Sequence, residues 1–102
     1  QNEVFGPVCC VYAFDQLDEA IDRATSLPTA FQVSVFANDI DAALHAADRL
    51  DASAVMINDH TAFRTDWMPF AGRRESGYGV GGIPYSMREM TQEKMRVFRY
   101  HA

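Results

Sequence analysis

Two stretches of this 102-residue chain hold side chains whose types and spacing suit them to chemistry. The first is Glu3-Val4-Phe5-Gly6-Pro7. A carboxylate set before a tight Gly-Pro turn can accept hydrogen bonds from two hydroxyls of one sugar ring, and an aromatic two residues on can lie against a flat heterocycle. Taken alone, the same residues also read as an exposed acid leading into a strand. The second stretch runs from Ile57 to Phe70 and collects Asp59, His60, Phe63, Arg64, Asp66 and Phe70 in one loop. Phe63 and Phe70 offer apolar walls. Arg64 carries a planar fork that grips a carboxylate, phosphate or phosphonate at two points. It can equally pair with Asp59 or Asp66 as a staple within the loop. Asp59 and His60 stand at its start, where either can meet a small bound molecule.

Other letters promise chemistry and fail on context. Gly77-Tyr78-Gly79-Val80-Gly81-Gly82 spells G-x-G-x-x-G. The residues before it, Arg73, Arg74, Glu75 and Ser76, are no apolar strand, and no suitable acid follows about 20 residues later, so these glycines are read as turn formers. Ser76, His60 and Asp59 supply the members of a triad without the strand-to-helix elbow a nucleophilic serine needs. His45, His60 and His101 show no metal-ligand spacing with one another or with the cysteines. Cys9 and Cys10 are adjacent; on a strand their side chains point to opposite faces, which is poor geometry for a mutual disulfide. They are expected as two buried small hydrophobes in a reducing, cytoplasmic compartment. No catalytic residue and no metal site is assigned.

The elements that must hold the two stretches follow from hydrophobic periodicity. Val8 to Phe14 is apolar and reads as a buried strand. Asp15 is placed to cap a helix bearing Leu17, Ala20, Ile21, Ala24 and Leu27 at helical spacing, which Pro28 stops. Phe31 to Ala37 makes a second strand. Asn38 or Asp39 caps a second helix with Ile40, Ala43, Leu44, Ala47 and Leu50 on one face. Ala54 to Ile57 makes a third, short strand. The order is β-α-β-α-β with crossovers of the length parallel strands need, so the expected class is α/β: a three-stranded parallel portion of a doubly wound sheet. Residues 58–82 form a long loop of the kind that is usually functional. Pro84 starts a short helix, and Lys94 to Tyr100 alternates like a half-buried strand that lacks a hairpin mate.

Nine basic against fourteen acidic residues leave a net charge of −5, which disfavours a nucleic-acid partner. No apolar run reaches the roughly 18 residues a membrane span requires. The first residue is Gln1, and an apolar segment follows at once, so the start reads as a cut inside a longer chain.

Glu3-x-Phe5-Gly6-Pro7 and Met68-Pro69-Phe70-Ala71-Gly72-Arg73-Arg74-Glu75-Ser76-Gly77-Tyr78-Gly79 together resemble the C-terminal part of an NAD(P)-dependent aldehyde dehydrogenase. The resemblance runs from Glu3 to about Phe98, and the Asp59-His60-x-x-Phe63-Arg64-x-Asp66 wording is similar to the branch of lactaldehyde-type and phosphonoacetaldehyde-type enzymes. It implies a parent that oxidises a small, possibly charged, aldehyde to the acid with NAD or NADP. Glu3 would hold the nicotinamide-side ribose and Phe5 the nicotinamide. Asp59, His60, Phe63, Arg64 and Phe70 would line the mouth of the aldehyde tunnel. Residues 1–82 would belong to the catalytic domain, and 83–102 would form a helix and an oligomerisation strand joining identical subunits. The family's nucleophilic cysteine and its general base would lie upstream, in a remainder to which this chain must attach, so the chain alone is expected to be inactive. The alternative is a non-catalytic assembly module. Three positions depart from the common wording: Ala71 replaces a glycine, Arg74 a lysine, and Val80-Gly81 an Arg-Glu pair, which removes a glutamate credited with proton relay.

Overall fold

The computed structural model describes residues 4–100, so Glu3 and His101 lie outside the described residues. Helix α1 spans Leu17–Thr25. Its start is not capped by Asp15 as expected: Gln16 occupies the N-cap position, with no side-chain hydrogen bond, and its carbonyl accepts from the Glu19 and Ala20 amides. Asp18 and Glu19 in the first turn and Arg23 in the last complement the helix dipole. Helix α2 spans Ile40–Arg49, and here Asp39 is the cap, its carboxylate accepting from the amides of Asp41 and Ala42.

Between the helices the chain forms a two-residue strand β1, Thr29–Ala30, and strand β2, Gln32–Val35. Strand β3, Ala54–Ile57, follows α2 and pairs in parallel with β2, in the register Gln32↔Ala54 to Val35↔Ile57. This right-through β-α-β passage carries the expected parallel α/β class. Ile21, Ala43, Ala46 and Met56 are the buried apolar core. Two alanines on α2 let α1 approach closely over Ile21, and across the outer side of this seam Asp18 meets His45 and Arg49 at 2.6 and 2.9 Å. These pairings hold the Asp18 carboxyl below its ordinary pKa, chiefly through the His45 hydrogen bond, with the Arg49 charge assisting.

Beyond β3 come strand β4, Arg73–Arg74, antiparallel to β1, and helix α3, Ile83–Glu89, with Pro84 in its first turn. Two expectations are corrected at the ends. Val8 to Phe14 joins no ladder and is open to solvent, with Val11 87% exposed and Cys9 and Cys10 exposed rather than buried. Lys94 to Tyr100 likewise has no strand partner among the described residues, and Met95, Val97, Phe98 and Tyr100 are all exposed. Both segments carry large apolar side chains that the described residues leave mostly uncovered, although the Arg23 guanidinium of α1 lies 5.0 Å over the Tyr12 ring. The radius of gyration, 19.8 Å, accordingly exceeds the ~13 Å of a compact domain this long. No helix among the described residues is long and apolar enough to cross a membrane.

Candidate functional site: the loop beyond β3

The loop leaves the sheet at the carboxyl ends of parallel β2 and β3, the side on which open α/β sheets gather ligands. Its first residue, Asn58, has a φ of 55°, a left-handed conformation that asparagine tolerates better than most side chains. The Asn58 amide donates to the Val35 carbonyl at 2.8 Å, its Oδ1 accepts from the Ala37 amide and its Nδ2 donates to the Ala37 carbonyl, both at 2.9 Å. One side chain therefore ties the exits of both strands and sets the direction of everything that follows. The Ile-Asn junction is visible in the sequence; that its asparagine clamps β2 is not.

Asp59 and His60 are brought together: the Asp59 carboxylate accepts from the His60 amide at 2.8 Å, and the imidazole Nε2 lies 3.8 Å from the same carboxylate. Two turns carry the chain onward, from the His60 carbonyl to the Phe63 amide and from the Thr65 carbonyl to the Met68 amide. Phe70 and Gly81 then exchange two backbone hydrogen bonds, of 3.0 and 2.8 Å, and the Asp66 carbonyl accepts from Ile83. These bonds close residues 66–83 into a ring. Gly82, with φ 112°, is required where it closes, because a Cβ there would stand 2.6 Å from the Met68 carbonyl oxygen.

Arg64 and Phe70 form the centre of the site. The guanidinium carbon sits 4.2 Å from the Phe70 ring centroid, a cation–π contact. Among the described residues Arg64 pairs with neither Asp59 nor Asp66, so the loop staple does not form and the side chain is exposed. Phe70 is fixed from behind by Phe31, edge to face at 5.1 Å and 88°. Phe63 is about half exposed. Phe5 is 97% exposed and contributes no wall to this loop; Glu3 lies outside the described residues.

The return limb is anchored by residues not singled out for chemistry. Arg73 Nη1 and Arg74 Nε each donate at 2.7 Å to the Asp51 carboxylate, and Arg74 Nη1 donates to the Thr25 carbonyl at 2.7 Å and to that of Leu27. These arginines hold the Asp51 carboxyl below its ordinary pKa, Arg73 first. Ser76 helps tie the return limb to β1, its hydroxyl accepting from the Ala30 amide at 3.0 Å. An open cleft of about 1070 Å³ lies on the far side of Phe70, lined by Leu27, Phe31, Ser76, Tyr78 and Glu89 among others. It excludes Asp59, His60, Phe63 and Arg64, so its size does not make it the site. Gly77, Gly79 and Gly82 all have positive φ values, but the exposed two-residue β4 that precedes them is no phosphate-loop strand. Among the described residues no group of His, Cys, Asp or Glu can hold a metal.

Comparison with known proteins places this geometry. A family model described as "Aldehyde dehydrogenase family" matches residues 1–96. A 3-sulfolactaldehyde dehydrogenase of Priestia megaterium is 35% identical over 97 residues, 95% of this chain. The NAD+ complex of an aldehyde dehydrogenase from Bacillus cereus superposes with a TM-score of 0.83 at 32% identity, over 90% of this chain and 18% of that one. The glyceraldehyde-3-phosphate dehydrogenase GapN of Methanocaldococcus jannaschii, complexed with NADP, matches with a TM-score of 0.67 at 42% identity, over 72% of this chain and 16% of that one. The chain spans only 20% of the length of the Priestia relative.

Proposed function

This chain belongs to the aldehyde dehydrogenase family, and on that basis we propose that it supplies the substrate-facing part of an enzyme that oxidises a small anionic aldehyde to its carboxylic acid with NAD or NADP. The observation that carries this reading is the Arg64 guanidinium, laid 4.2 Å over Phe70 with no carboxylate partner among the described residues. A cation held on an aromatic face keeps its in-plane donors free for a two-point grip on an anion. Phe70 lies beneath it, Phe63 offers a half-exposed apolar face in the same loop, and His60, beside Asp59, offers a further polar contact. The similarity to enzymes named for a sulfonated and a phosphorylated aldehyde supports an anionic tail.

NAD(P), when bound, accepts the hydride lost by the aldehyde carbon. Phe5 fits that group, since its exposed ring has a face to lay against a nicotinamide; Glu3 would accept from the adjoining ribose hydroxyls. Neither Cys9 nor Cys10 is assigned as nucleophile, so residues 1–82 act as the distal part of a catalytic domain. Residues 83–102 act in assembly, and the apolar, uncovered segment Lys94 to Tyr100 favours that role.

The test uses the complete polypeptide that carries this segment. Charge-assisted hydrogen bonds contribute about 1.5–3 kcal/mol, so Arg64→Ala should raise KM for a sulfonate-, phosphate- or carboxylate-bearing aldehyde ~10- to 100-fold. A neutral aldehyde of equal length should be affected far less. Equal losses for both would refute an anion-binding role for Arg64.

A further inference from the structure

Arg74 is the most heavily bonded side chain of the loop, and it sits in an unfavourable backbone conformation. Its φ is 54°, the left-handed region that a long side chain adopts only when its surroundings enforce it. The enforcement is visible. Nε and Nη2 lie 2.7 and 2.5 Å from Asp51 Oδ2, while Nη1 donates to the Thr25 and Leu27 carbonyls at the end of α1. Arg73 takes the other oxygen of Asp51 at 2.7 Å. Arg74 has the least exposed side chain of the arginines in ion pairs, at 30%. Three parts of the fold meet on it: the tail of α1, the turn before β3, and the returning limb of the substrate loop.

The neighbouring backbone carries the constraint toward the site. Arg74 and Arg73 pair with Thr29 and Ala30 of β1, and the Glu75 amide donates to the Pro28 carbonyl. Next to β1 stands Phe31, whose ring supports Phe70, and Phe70 supports Arg64. An unbroken series of contacts therefore runs from the Asp51–Arg74 knot to the Arg64 guanidinium. We infer that the knot of Asp51, Arg73 and Arg74 is a positioning device for the Arg64–Phe70 pair, and so sets the enzyme's preference for anionic over neutral aldehydes. This rests on the proposed role of Arg64.

The experiment is run in the complete polypeptide with Arg74→Ala, Arg74→Lys, Asp51→Asn, Arg64→Ala and the Arg64→Ala/Arg74→Ala double variant. Two readouts are taken: the ratio of kcat/KM for an anionic and a neutral aldehyde, and hydrogen–deuterium exchange over residues 60–83. Arg74→Ala and Asp51→Asn should each lower the ratio about fivefold or more, through KM rather than kcat. The double variant should lower it no further than Arg64→Ala alone, because the two residues act through one contact. Arg74→Lys, which keeps a cationic donor near the carbonyls, should recover most of the loss. Exchange over 60–70 should rise about tenfold in Arg74→Ala while that of α2 holds. If Arg64→Ala lowers the ratio but Arg74→Ala and Asp51→Asn do not, the positioning role is overturned and the role of Arg64 stands. If Arg64→Ala leaves the ratio unchanged, the anionic-substrate reading is overturned and with it the claim about preference. Unchanged exchange over 60–70 then overturns the positioning itself. Should Arg74→Ala fail to fold, Asp51→Asn decides by the same measurements.

Discussion

Asn58 should matter more than an exposed loop residue ordinarily does. It contributes in two separable ways: a side-chain pair of 2.9 Å hydrogen bonds to Ala37, and tolerance of a φ of 55°. Both hydrogen bonds are solvent-accessible, so each is assigned the low end of the net range, ~0.5 kcal/mol. Alanine in the left-handed region adds about 1 kcal/mol. Asn58→Ala should then cost about 2 kcal/mol, and Asn58→Gly, which loses the bonds but not the conformation, about 1 kcal/mol. Asn58→Asp keeps the acceptor for the Ala37 amide and loses only the donor, so it should cost about 0.5–1 kcal/mol. The assay is urea denaturation followed by circular dichroism, with thermal melting as a check. Alanine and glycine variants of equal stability would show that the backbone conformation is not what asparagine supplies. An alanine variant within about 0.3 kcal/mol of the parent, inside ordinary surface scatter, would refute the clamp altogether.

Three further outcomes are expected. Gly82→Ala places a Cβ 2.6 Å from the Met68 carbonyl at a φ of 112°, so it should cost about 1–3 kcal/mol in melting experiments and loosen the Phe70–Gly81 pairing as read by amide exchange. The Asp18 carboxyl, lowered in the folded chain by His45 and then Arg49, adds stability that is fully present above its unfolded pKa and is lost as pH falls through its folded value. Asp18→Asn should therefore flatten the acid side of the stability profile, by a modest amount because Asp18 is 56% exposed, and added salt should shrink the difference. Removing residues from Lys94 onward, or introducing Tyr100→Pro, should reduce association on size-exclusion chromatography; association that survives both changes would deny this segment a part in assembly.

The elements closed within the chain were legible from periodicity, and those that need a partner were not. Ile40, Ala43, Leu44, Ala47 and Leu50 announce α2 as a helix, but the side that turns inward centres on Ala43 and Ala46, and Ile40 and Leu44 of the expected face stay exposed. Val8 to Phe14 announces a buried strand with equal clarity, yet a strand is a statement about a neighbour, and the described residues offer it no strand partner. The site divides in the same way. The lack of a sustained period put Phe63, Arg64 and Phe70 in one loop, and the resemblance to the family's substrate-anchoring loop gave them a role there. The partner of Arg64 was open between an acid staple and an anion, and only the three-dimensional path of the loop turns it onto Phe70. Asn58, Asp51 and the register of Arg74 against Thr29 escaped entirely, since each works across the fold between residues far apart in sequence.

The placement of Arg64 on Phe70 also suits the anion-binding role proposed for it. A surface pair with Asp59 or Asp66 would contribute about 0–1 kcal/mol, and a cation–π contact at an exposed site contributes about 0.5–1 kcal/mol. These nearly cancel, so the guanidinium is held on Phe70 by geometry more than by energy. Phe31 fixes the ring, and the Phe70–Gly81 and Asp66–Ile83 bonds fix the loop around it. Had Arg64 been staked to a carboxylate, an incoming anion would have had to displace that partner first. Resting on a ring, it keeps its in-plane donors unspent, and a two-point anion worth about 1.5–3 kcal/mol can bind without breaking the contact beneath it. The consequence is measurable within the loop itself. Phe70→Leu keeps an apolar wall but removes the π face, and it should weaken anionic-aldehyde binding about two- to fivefold, the value of an exposed cation–π contact. A loss as large as that of Arg64→Ala would mean that Phe70 acts mainly by holding the loop, and the platform argument would fail.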